Sequence, residues 1–108
     1  MKDLIIAGAG GYGREAYYLA QRINKVEPCW NIKGFINDIP DALDGTKCDL
    51  PIIGSIADWE PSDNEVFVIA ISTPQGKEKV YNLLKNKGAN FVNLISPTAL
   101  INPTVEFG

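Results

Sequence analysis

The sequence predicts an α/β domain built on a parallel sheet, and three observations lead there. Apolar runs of strand type alternate with helix patterns along the chain. The first run, Leu4-Ile5-Ile6-Ala7, leads straight into a turn spaced Gly8-x-Gly10-x-x-Gly13. The end of the chain carries a period of six residues instead of a further strand–helix unit.

Each glycine of the turn has a physical task. Gly8 allows a sharp turn after the strand, Gly10 lets a phosphate approach the main chain, and Gly13 lets the following helix lie close to the sheet. The first N–H groups of that helix lack intrahelical partners and sit at the positive end of the macrodipole. Together they make an anion site that needs no charged side chain. A tight βα turn that binds nothing is the plainer reading. Such a turn needs one glycine, and Gly8-Ala9-Gly10-Gly11-Tyr12-Gly13 supplies four.

Glu15 to Ile23 reads as helix, with Ala16, Leu19, Ala20 and Ile23 at the spacing of one buried face. Trp30 to Ile36 reads as a strand, Ile32, Gly34 and Ile36 alternating with Asn31, Lys33 and Phe35. Turn residues run from Asn37-Asp38 to Asp49, and Asp41, Asp44 and Asp49 mark this stretch as a solvated loop. Leu50 to Ser55 is a short extended piece, Ile56 to Trp59 one helical turn. Glu65 to Ile71 is apolar on both faces, as a central strand covered on each side should be. Thr73 is placed as an N-cap and Pro74 at the first helical position of a helix that runs to Lys87 and stops at Gly88. Val80, Leu83 and Leu84 form its inner face, and Asn90 to Ile95 is a last strand. Trp30, Trp59 and Phe67 are expected in the core. The alternation implies right-handed crossovers and a small Rossmann-like parallel sheet with flanking helices. Ligands of such sheets bind beyond the carboxyl ends of the strands. Gly8 to Gly13, Asn37-Asp38 and Ile71-Ser72-Thr73 should therefore converge on one site.

In the tail, Ile95, Ile101 and Phe107 stand six apart, and so do Ala99 and Val105. A period of six is the mark of a parallel β-helix, in which each unit forms one face of a triangular coil. The competing reading is a Pro-rich tail with chance spacing. The expected organisation is a Rossmann-like domain over residues 1–95 and the start of a β-helix, cut short at Gly108, over residues 96–108.

Bulk properties exclude several classes. With 45% apolar and 21% charged residues the chain is globular and not disordered. A net charge of -3 without a Lys/Arg run argues against nucleic acid as the partner. No stretch is apolar enough for a membrane span or a signal peptide, so membrane is not expected and the cytoplasm is. Cys29 and Cys48 fit no metal or redox spacing, so free thiols and no metal site are expected, with Cys29 buried. The chain has no histidine, the commonest general base, and no other catalytic constellation is visible, so no catalytic residue is assigned.

Taken together, Ile6-Ala7-Gly8-Ala9-Gly10-Gly11-Tyr12-Gly13-Arg14-Glu15, Gly34-Phe35-Ile36-Asn37-Asp38, Ile52-Ile53-Gly54-Ser55, Val68-Ile69-Ala70-Ile71 and Asn93-Leu94-Ile95-Ser96-Pro97-Thr98-Ala99 resemble the sugar O-acyltransferase family. That family includes sialic-acid O-acetyltransferases and the N-acetyltransferases of UDP-4-amino-sugars in bacterial glycan synthesis. The resemblance implies an N-terminal domain that binds a nucleotide sugar, followed by a left-handed β-helix that trimerises, binds acetyl-CoA and carries the catalytic His. By position it implies Gly8, Gly10, Gly11, Tyr12, Gly13 and Arg14 along the diphosphate and sugar, and Asn37 and Asp38 near uracil and ribose. It likewise implies Gly54 beside the base and Ser72 and Thr73 on a phosphate or a sugar hydroxyl. The chain departs from the family where Tyr12 replaces a frequent His, Arg14 a Lys and Ser96 a His.

Two readings compete with a UDP-sugar-binding domain of an acetyltransferase. One is an NAD(P)-binding module of an oxidoreductase, with Asp38 as the ribose acid. The other is a non-enzymatic nucleotide-sensing domain. Asp38 reads equally as a turn former after a strand, and Ser72 and Thr73 as helix-capping residues.

Overall fold

In a computed structural model, residues 2–39, 46 and 48–92 are described. The elements are β1 (Lys2–Ala7), α1 (Gly11–Val26), β2 (Trp30–Ile36), β3 (Ile52–Gly54), β4 (Glu65–Ile69), α2 (Pro74–Asn86) and β5 (Asn90–Phe91). All pairings are parallel and the strand order is β3-β2-β1-β4-β5. This is the expected α/β, Rossmann-like arrangement. The six-residue period of residues 96–108 lies outside the described residues, as do Asp41, Asp44 and the last residues assigned to the final strand.

The two crossovers from the central strands run in opposite directions, so right-handed connections put α1 and α2 on opposite faces. Side-chain alternation along β1 and β4 then divides the core. Leu4, Ile6, Val66 and Val68 meet Ala16, Tyr17 and Ala20 of α1. Ile5, Ala7, Phe67 and Ile69 meet Leu84 on the α2 side, with Val80, Tyr81 and Leu83 packed partly against them. All five residues of β4 are buried, as its two-sided apolar run requires.

The pattern read for β2 changes phase within the strand. Leu4 pairs with Ile32 but Ile5 with Gly34, so Lys33 is an extra residue and the alternation flips after it. Trp30 and Ile32 pack on the α1 side. Phe35, expected on the polar side with Lys33, follows them into that core and is fully buried.

Lys33 reaches Glu65, which is only 4% exposed at the amino end of β4. Glu65 Oε2 accepts from Lys33 Nζ at 3.0 Å, and Oε1 accepts from the Trp59 indole and the Ser62 amide, each at 3.1 Å. Burial alone would raise this carboxyl, but those three donors hold it below its usual range. On the other face, the Tyr17 hydroxyl donates to Asp49 at 2.7 Å and accepts from Gln21. Burial and the neighbouring Asp49 push this phenol up to about 12.

Cys29, expected to be buried, is exposed. Its amide donates to Asn24 Oδ1, which ties the α1–β2 connection at the surface rather than in the core. Among the described residues no helix is long and apolar enough to cross a membrane, and no group of His, Cys, Asp and Glu is placed to hold a metal.

Candidate nucleotide site

The carboxyl ends of β1, β2 and β4 meet at the switch point between β1 and β4. Backbone hydrogen bonds join them there. Gly8 N donates to Ile36 O, and Ala70 N to Ala7 O, both at 2.9 Å. Gly8 turns at φ +114°, and a Cβ on it would lie 2.5 Å from Ala70 O. Gly13 packs so tightly under this turn that a Cβ would strike the Gly8 carbonyl. These two glycines serve the fold.

Gly10 is different. It is the N-cap of α1, and a Cβ there would meet nothing within 4 Å. The N-cap makes no side-chain hydrogen bond to the helix and the first turn holds no acidic residue, so neither the cap nor an acidic side chain offsets the positive helix end. The start of α2 makes the contrast. Its cap, Thr73, accepts from Gly76 N through Oγ1 at 3.2 Å, with Pro74 at the first position. One helix N-terminus carries a side-chain cap and the other, beside the cleft, carries none. Helix α1 starts at Gly11, four residues ahead of the reading at Glu15, so its end reaches the glycine loop itself.

Arg14 sits in that first turn, with Nη2 3.7 Å from the position of a Cβ on Gly11. Its guanidinium makes no hydrogen bond or ion pair among the described residues. A cation at the positive end of a helix is mildly unfavourable by itself and favourable once an anion lies between them.

The structure brings Gly8, Gly10, Gly11, Tyr12, Asn37 and Ser72 around one cleft of about 290 Å³, together with Ala9, Ala70 and Ile71. Asn37 is its hub. Oδ1 accepts from Ala9 N at 3.3 Å, Nδ2 donates to Ile39 O, and the main-chain N–H donates to Gly54 O. Gly13 lies beneath the cleft and Arg14 beside it. Thr73 is absent from its lining because its hydroxyl faces its own helix.

Asp38 and Gly54 have structural tasks that their expected ligand roles did not foresee. Asp38 Oδ1 accepts from the amides of Ile56 and Ala57 at 3.0 and 3.2 Å, capping the turn after β3. The space a Cβ on Gly54 would take is filled by the Trp59 ring, 2.8 Å away. Asp38 also lines two hollows that flank the cleft. One of about 340 Å³ lies toward Ile52 to Ser55, and one of about 470 Å³ lies toward α2. The α2 hollow includes Lys79, which the sequence reading passed over. Gly76, Lys79, Val80 and Leu83 share one helical face by their spacing, so a cation on that apolar face was the available signal.

No curated protein matches the chain. The family profile described as "PglD N-terminal domain" matches residues 3–84, a span that runs from β1 into α2 and contains every site residue from Gly8 to Thr73. With most of the chain covered, this protein belongs to the family of PglD N-terminal domains, the N-terminal domain of PglD-like sugar acetyltransferases.

Proposed function

We propose that the domain holds a nucleotide sugar, a UDP-amino-sugar, for acetyl transfer in glycan synthesis. The observation that carries this reading is the uncapped start of α1, with Gly10 open above it and Arg14 unpartnered beside it. A diphosphate at the positive end of the helix supplies the negative charge that the uncapped start lacks, and Arg14 can engage it bidentately. Asn37 fixes the loop in the receiving conformation through Ala9 N. The chain's own residues thus bind and orient the substrate. The acetyl donor, acetyl-CoA in this reading, and the base that deprotonates the sugar amine or hydroxyl belong to a β-helix part through which the whole protein is a cytoplasmic homotrimer.

An oxidoreductase module fits the site less well. Asp38, the candidate ribose acid, already spends Oδ1 on two amides. A thermal-shift panel with a UDP-sugar, NAD and acetyl-CoA separates the readings. A ligand at about 100 times its Kd adds about 2.7 kcal/mol, which for a domain this size raises Tm by roughly 10 °C. The UDP-sugar should do so and NAD should not. The reverse pattern would refute the proposal.

A further inference from the structure

We infer that Lys87, at the carboxyl end of α2 and outside the cleft, is a positioning residue for the diphosphate site and acts through the turn after β3. This rests on the nucleotide-sugar reading and deepens it, by adding a residue that sets the glycine loop without touching the ligand.

The Lys87 side chain starts from a fixed point. Lys87 is the C-cap of α2, and beyond it Gly88 turns at φ +88°, with Gly88 N donating to Lys85 O and Ala89 N to Leu84 O. Leu84 is fully buried, which locks this cap to the core. From there Nζ donates to Ala57 O at 2.8 Å and to Trp59 O at 3.0 Å. Glu60 lies 3.8 Å from the same ammonium, but its side chain is 83% exposed, so the two carbonyls carry the contact.

Ala57 is thereby held from both sides. Lys87 takes its carbonyl, and Asp38 Oδ1 accepts from its amide at 3.2 Å and from Ile56 N at 3.0 Å. The residue before Asp38 is Asn37, whose N–H donates to Gly54 O and whose Oδ1 accepts from Ala9 N. Consecutive bonds thus run from Lys87 through Ala57, Asp38 and Asn37 to an amide of the glycine loop. From Ser55 to Trp59 only Ile56 is buried, which leaves the placement of the turn largely to these bonds. When the two carbonyls lose the ammonium, the turn loosens and the loop spends less time in the receiving conformation. Apparent affinity then falls in proportion to the competent fraction.

Amide-detected NMR of the ligand-free chain and calorimetric titration with UDP provide the test. Lys87→Met should shift the amides of Ile56, Ala57 and also Ala9, and weaken UDP by roughly two- to thirtyfold, the range for a residue coupled to a site it does not touch. Lys87→Arg keeps a charged donor and should restore most of both. Tyr17→Phe lowers stability on the α1 face and should move neither. In an Asp38→Ala background, Lys87→Met should cost no further affinity. The inference is overturned if Lys87→Met lowers Tm but leaves the Ala9 amide and UDP affinity as in wild type. It is equally overturned if Tyr17→Phe weakens UDP as much, or if Lys87→Met and Asp38→Ala weaken it additively. If UDP does not bind the wild-type protein, the nucleotide-sugar reading falls, and the Ala9 amide in the ligand-free variants still decides whether Lys87 sets the loop.

Discussion

Replacing Arg14 by Gln should move stability and binding in opposite directions. Arg and Gln have nearly equal helix propensity, so the backbone term is close to zero. What changes is a cation in the first turn of α1, where no acidic side chain and no cap offset the positive helix end. Relieving that repulsion is worth about 0.3–1 kcal/mol at a partly exposed position, so the variant should be as stable as wild type or slightly more so. Binding should suffer, because a bidentate guanidinium–phosphate contact contributes about 1.5–3 kcal/mol, or roughly 10- to 150-fold in Kd. Urea unfolding measures the first quantity and calorimetric titration of a UDP-sugar the second. Raising salt should narrow the affinity difference between the two proteins. A variant that loses stability yet binds normally would show that Arg14 supports the fold and not a ligand, and the reasoning would be wrong.

The glycines should separate in the same assays. Gly10→Ala should fold normally, because its Cβ meets open space, but bind more weakly, whereas Gly13→Ala should cost about 1–3 kcal/mol or more because its Cβ strikes the Gly8 carbonyl. Thr73→Ala should lower stability by about 1 kcal/mol in urea, the usual cost of losing an N-cap, with ligand affinity nearly unchanged. Glu65 is held below its ordinary range in the folded state. Its contribution is therefore present above the unfolded carboxyl's pKa and is lost as pH falls through the lower folded value. Stability measured downward from pH 5 should fall less steeply in Glu65→Gln than in wild type, although the variant starts lower. Tyr17 has the opposite sign. Its stabilisation is complete below pH 10 and disappears as pH approaches 12, a decline that Tyr17→Phe should lack.

Most of the sheet was legible because its strands are strongly patterned. The two-sided run of β4, the bounds of β2 and the Thr73-Pro74 start of α2 could be read from residue type alone. What could not be read depends on contacts between distant segments. The extra residue at Lys33 flips Phe35 into the core, and local alternation carries no sign of a bulge whose register is set by β1. The glycines hid the first turn of α1, since low helix propensity at Gly11 and Gly13 is overridden by packing under Gly8. Cys29 looked like a small core residue because thiols usually are, but Asn24 holds its amide at the surface. At the site, spacing brought out the glycine loop, and the position of Asn37 and Ser72 just past strand ends brought them to the same cleft. The turn-forming reading of Asp38 matches its bonds to the turn after β3, whereas the task of Gly54 depends on Trp59, which no local motif announces.

A crystal structure of the domain with a UDP-sugar tests the central claim most directly. The account predicts diphosphate oxygens roughly 2.7–3.2 Å from main-chain N–H groups at the start of α1, with the Arg14 guanidinium turned onto them. A nucleotide sugar bound elsewhere, with those amides facing only water, would contradict it.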